Sequence, residues 1–122
     1  MPEKKVISIR ERILACKDMK SELIEVKAWG NEKILVKSIT ANERYKLLEN
    51  CTDNKGNLDQ KKHYISLAIA CAFDPKTDER IFNYDDYETL SEKSSAAIEA
   101  ITQVALRLNG IGEEEREKAE KN

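Results

Sequence analysis

The chain has 122 residues, 36% of them charged, with 21 Lys/Arg against 23 Asp/Glu and a net charge of −2. That length fits one domain burying roughly two-thirds of its unfolded surface, so folding needs neither a disulfide nor a metal. The even mixture of charges argues against a basic nucleic-acid footprint and an anionic membrane partner, and no apolar run approaches the roughly 20 residues of a membrane span.

Residues Met1 to Ser8 contain no apolar core of a signal peptide, which points to a cytosolic protein. Ser8 and Glu11 form a capping box, and Ile9, Ile13 and Cys16 follow as one helical stripe, expected to serve as core or interface. Leu23 to Trp29 is the first strand, with Ile24, Val26 and Ala28 alternating against Glu25, Lys27 and Trp29. Gly30-Asn31 suits a tight hairpin turn, and Lys33 to Ile39 supplies the second strand. Two strands are marginal alone, so this hairpin must lie on helices or pair with another chain.

Thr40 and Glu43 make a second capping box, opening a helix with Tyr45 and Leu48 on one face that fades at Asn50-Cys51. Asp53 to Asn57 is a turn. It fails as a calcium loop, because Lys55, Leu58 and Tyr64 stand where an oxygen ligand, Gly and Glu are required. Asp59 can cap the next helix, whose segment Tyr64 to Pro75 is apolar over more than half its girth, the mark of central burial. Pro75 ends it. Asn83 and Asp86 can start a short helix over Tyr84 to Leu90. The longest helix runs from about Ser91 to Asn109 with Ile98, Ile101, Ala105 and Leu108 as its stripe, and Gly110 closes it as the C′ residue. The tail from Glu113 to Asn122 is charged throughout, with Glu114/Lys118 and Glu117/Lys121 as i, i+4 pairs, and reads as a solvated, flexible end.

Catalytic and metal-binding patterns are missing from this order. Cys16, Cys51 and Cys71 are widely spaced and read as free thiols or small hydrophobes, so with His63 they make no zinc site. His63 sits among lysines as a lone surface residue, and Asp85-Asp86 complements a helix dipole. Gly110-Ile-Gly112 follows a helix, out of context for a dinucleotide fingerprint. The expectation is a protein without enzymatic activity, cofactor or metal. Trp29, the single Trp, either covers one end of the core or stands exposed as an anchor for a partner, since Trp is enriched at binding hot spots. Ile98, Ile101 and Leu108 offer a second apolar partner surface.

The order helix, hairpin and capped helix, then Ala70 to Pro75, Phe82 and Ala105-Leu-Arg-Leu-Asn-Gly-Ile111 before a Glu-rich tail, resembles the XkdN-like tail assembly chaperones of phages and prophages. Its firmest parts are Ser38 to Tyr45, Ala70 to Pro75 and Leu106 to Glu115, within roughly residues 20 to 122. The resemblance implies a non-structural morphogenetic protein that binds the tape measure protein, assists assembly of tail tube protein, and stays in the bacterial host cytoplasm, absent from the mature virion. Family members are often made in two lengths by frameshifting, and Glu120-Lys121-Asn122 can be encoded with a slippery A-AAA-AAC heptamer. Self-association is compatible with this role. The alternative is a generic cytosolic protein–protein interaction adaptor unrelated to phage tails. The expected architecture is α+β and predominantly helical: an N-terminal helical segment 1–20, a compact domain 21–112 with a hairpin at 23–39, and a charged tail 113–122.

Overall fold

A computed structural model gives the structure of residues 6–111, and the charged tail with its i, i+4 pairs lies outside them. The elements follow in the order α1 (Ile9–Ala15), β1 (Ser21–Val26), β2 (Glu32–Lys37), α2 (Ala41–Cys51), α3 (Gln60–Cys71), β3 (Ala72–Phe73), α4 (Tyr87–Ser91) and α5 (Ser95–Leu108). This is a mixed α+β fold with a helical majority. The caps fall where short polar side chains stand. Ser8, Thr40 and Asp59 accept from the backbone N–H groups of Glu11, Glu43 and Lys62, each satisfying a donor the first turn leaves free. Asn83 and Asp86 close a reciprocal box before a single 3₁₀ turn at Tyr84–Asp86 that leads into α4.

Strand β2 is the middle of a three-stranded antiparallel sheet in the order β1-β2-β3. The hairpin pairs Ile24 with Ile34 and Leu23 with Leu35. Val26, Ile34 and Val36 are buried on the inner face, with Ile24 packed beside them. The expected two-residue turn is replaced by a longer loop. Pairing stops at Val26↔Glu32, and a 3₁₀ turn at Lys27–Trp29 precedes Gly30 and Asn31, both left-handed with φ of 73° and 62°. That turn breaks the strand alternation, so Ala28 is exposed and Trp29 turns toward the core.

The third strand departs from the sequence reading. α3 stops at Cys71, and Ala72–Phe73 extends to pair with β2 through Val36↔Ala72 and Leu35↔Phe73. Helix geometry yields here because the second edge of β2 would otherwise hold unpaired backbone groups beside the core. Pro75 therefore sits in the turn after β3, where Asp74 accepts from the Lys76 N–H and donates its own N–H to Glu79.

α3 is the centre of the core. All seven residues from Ile65 to Cys71 are buried, and the helix packs against α5, α2 and α4. α5 also crosses β1 and β2, and buries Ala97, Ile98, Ile101, Thr102 and Ala105. The Thr102 hydroxyl donates to the Tyr64 carbonyl at 3.0 Å, so this buried polar group is satisfied. α5 begins at Ser95 rather than Ser91, since the Lys93 N–H turns back to Leu90. Its end is a full Schellman arrangement: the Gly110 and Ile111 N–H groups reach the Arg107 and Leu106 carbonyls, with Gly110 at φ 66°. α2 runs through Cys51 and buries Leu47 and Cys51, leaving Tyr45 exposed. Of the two roles expected for the α1 stripe, core or interface, the first is excluded. No residue of α1 is buried, and every residue from Val6 to Lys20 is exposed.

Candidate interaction surface

The residues expected to meet a partner divide into two groups. Ile98 and Ile101 are 5% and 0% exposed, inside the core against α3. They are not a docking surface, because their apolar area is already removed from water by this chain's own sheet and helices. Leu108 is half-buried and lines a shallow cleft with Met19, Ile39 and Asn109. Trp29 keeps an accessible face.

That face is the wall of a groove of about 660 Å³ between the hairpin loop and the turn after β3. Trp29 meets Phe82 edge-to-face at 6.1 Å and 72°, a favoured aromatic geometry that stiffens the wall. Ile34, Pro75 and Ile81 complete the apolar lining, and Ile81 remains 40% exposed. Glu32, Lys33, Asp74 and Lys76 supply a rim of both signs. The groove exists because β3 pairs with β2 and brings the Asp74–Phe82 segment beside the hairpin loop. A reading that continued α3 through Phe73 had no means of finding it.

The outer face of the sheet is less available. The Lys37 ammonium lies 4.7 Å from the centre of the Phe73 ring, and the Arg80 guanidinium 5.6 Å away. Lys37 pairs with Asp78 and Arg80 with Glu43, so both cations are held over the ring.

The titratable groups of the interior have shifted toward their neutral forms. Burial pushes the Cys71 thiol up to about 12 and raises the Cys51 thiol, with the Ser66 hydroxyl and Lys62 opposing the latter shift. Both stay protonated near neutral pH, unlike an activated nucleophile. Cys51 lines a second cavity of about 290 Å³ with Leu47, Asn50, Lys62, Ser66, Tyr84 and Tyr87. His63 is half-buried rather than at the surface, and burial followed by the Arg44 charge holds its pKa below the ordinary value. Among the described residues no three His, Cys, Asp or Glu side chains converge as a metal would require, and no helix is long and apolar enough to cross a membrane.

One polar joint ties distant parts of the chain together. The Asn109 side chain accepts from the Ile39 N–H at 2.9 Å and donates to the Ala105 carbonyl at 2.8 Å, with the Cys71 sulfur 3.8 Å from the same amide nitrogen. The joint links the β2–α2 connection, the end of α3 and the end of α5. Compared with known proteins, the chain matches no family model, no curated protein and no solved structure.

Proposed function

We propose that this chain is a tail assembly chaperone of the XkdN-like kind, a non-enzymatic protein that binds a tape measure protein and assists tail tube assembly in the bacterial cytoplasm. The Asn109 joint is the observation that carries this reading. Ser38–Tyr45, Ala70–Pro75 and the Leu106–Ile111 part of the third motif are the segments on which the resemblance rests. Far apart in sequence, they meet around one side chain. Motifs that share a joint specify an architecture, so the likeness speaks for a common fold and carries function by analogy.

The groove at Trp29 supplies a physical means. A long helical client exposes apolar side chains before tube subunits enclose it, and each one seated removes surface worth about 25 cal/mol per Å² from water. The Trp29–Phe82 wall and Ile81 offer an apolar seat already built, and the mixed rim accepts a client segment of either charge. Pre-formed aromatic anchors of this type dominate interface energetics.

Co-expression with a tape measure protein tests the proposal, with the client moving from the insoluble to the soluble fraction as the expected result. Ile81→Asp and Trp29→Ala, checked for folding by circular dichroism, should remove most of that effect. Folded variants with full activity would exclude the groove. A native chain that leaves every tape measure protein insoluble, from a gene without tube and tape measure neighbours, would leave the generic adaptor as the better account.

A further inference from the structure

The arm from Val6 to Lys20 has the composition of an interface and, among the described residues, is left exposed by the body, which it meets only at its end, where Asp18 and Met19 line the cleft with Leu108. Val6, Ile9, Ile13, Leu14 and Met19 are each more than half exposed, and Ile7 is half exposed. Its hydrogen bonds through Cys16 are internal, and the first links to the body are those between Lys20 and Ser38. A helix of seven residues is far below the ~12–15 that an isolated helix needs in water, so α1 calls for a surface to lie on. At 100° per residue, Ile9, Ile13 and Cys16 form one stripe with Arg12 on one side and Arg10 on the other.

Charge decides what kind of surface receives it. Residues 1–20 hold six Lys/Arg and three Asp/Glu, net +3, and residues 21–122 hold fifteen and twenty, net −5. Pairing arm with arm would oppose two like charges, whereas arm against body is attractive. The most acidic stretch of the described body is Asn83–Glu92, with Asp85, Asp86, Glu88 and Glu92 and no Lys or Arg. It flanks the cavity lined by Leu47, Cys51, Tyr84 and Tyr87, with Lys62 as the one cation of the lining opposite these carboxylates, and Tyr84 is 51% exposed.

We propose that the arm docks on a second copy of this chain, its Ile9/Ile13 stripe over the Tyr84–Tyr87 cavity and its arginines against Asp85 and Glu88. One arm seated by the Ile9/Ile13 stripe alone is a small contact, at the weak end for a specific interface. A reciprocal exchange of two arms doubles the buried surface and the number of charge pairs in one assembly. The occupant is therefore a second copy in a closed, two-fold exchange. This inference stands apart from the tail assembly reading, because its test needs only the purified chain.

The test is light scattering on the full chain, in reducing buffer, across a concentration series. The expected mass is twice that of one chain. Ile9→Asp with Ile13→Asp, at exposed positions that leave the core untouched, should give a folded monomer. Arg10→Glu with Arg12→Glu, and separately Asp85→Arg with Glu88→Arg, should each weaken the dimer at least tenfold, and the four changes together should restore it. A native chain that is monomeric throughout, or a dimer that survives the isoleucine changes, overturns the proposal. Failure of the combined charge exchange to restore the dimer overturns the assignment of the cavity. A monomer that instead sediments with anionic vesicles through its arm also overturns it.

Discussion

Replacing Asn109 with Ala removes the side chain whose hydrogen bond ties the β2–α2 connection to the end of α5. The Ile39 N–H loses its only acceptor in this joint, and a buried donor left unsatisfied costs about 1–3 kcal/mol. The Ala105 carbonyl suffers less, since the Asn109 backbone N–H still reaches it at 3.1 Å. The expected loss is therefore about 2 kcal/mol, a sizeable share of the ~5–15 kcal/mol typical of a domain. Urea unfolding followed by the fluorescence of Trp29 reads this directly. With a slope of ~1.5 kcal/mol/M, the midpoint should fall by about 1.3 M. Asn109→Asp separates the two halves of the joint. It keeps an acceptor for Ile39 but sets a carboxylate against the Ala105 carbonyl and the negative end of α5. Such a group has a folded pKa above its ordinary ~3.9, so the variant is weakest at neutral pH and recovers toward the native protein as pH falls through that raised value. A midpoint for Asn109→Ala within about 0.3 M of the native protein, at unchanged slope, would refute the account of this joint.

Gly110→Ala meets no atom within 4 Å of its new Cβ, so its cost is conformational alone, about 1–2 kcal/mol from the left-handed φ of 66°, read by the same urea titration. His63 is held below its ordinary pKa, so the unfolded chain binds the extra proton first. Stability should be full above about pH 6.5 and fall as pH drops through the folded value, and His63→Gln should flatten that slope in a thermal melt series. Ile101→Ala should cost about 2–5 kcal/mol as a core cavity, and Leu108→Ala, at a half-buried end, clearly less.

Local signals were legible where a single residue type has one physical use. The four caps, Gly110 as C′ and the alternation as far as Ile24 and Val26 fall where side-chain chemistry puts them, while Ala28, the third residue of that alternation, is exposed. The third strand was hidden for the opposite reason. Ala72-Phe73 follows seven consecutive buried residues at the end of α3, and such a run has no period to mark where the helix stops. Only pairing with the second edge of β2, a contact about 35 residues away in sequence, turns the backbone out. The groove was lost with it. Trp29 stood out as the single Trp, but the 3₁₀ turn reversed its direction, so its wall with Phe82 came from tertiary structure.

Two stripes in this chain carry the same sequence signature and have opposite fates. Ile98, Ile101 and Ala105 on α5 are buried, and Ile9, Ile13 and Cys16 on α1 are exposed. Periodicity reports that a face is apolar and is silent on what covers it, so partner and core stripes look alike until the sheet and α3 are in place. Placing them moves the search for partners from the last helix to the hairpin loop and the arm. The two surfaces that result are joined by one segment: Ile81 and Phe82 line the Trp29 groove, and Tyr84 and Tyr87 line the cavity proposed to receive the arm. A client seated against Phe82 and an arm seated against Tyr84 would both bear on the Asn83 cap and the 3₁₀ turn it opens at Tyr84. If each tightens that turn, client binding strengthens the dimer, and by linkage the dimer strengthens client binding by the same factor. Chains bound along a client would then pair where the client is, and free chains would stay more dissociated.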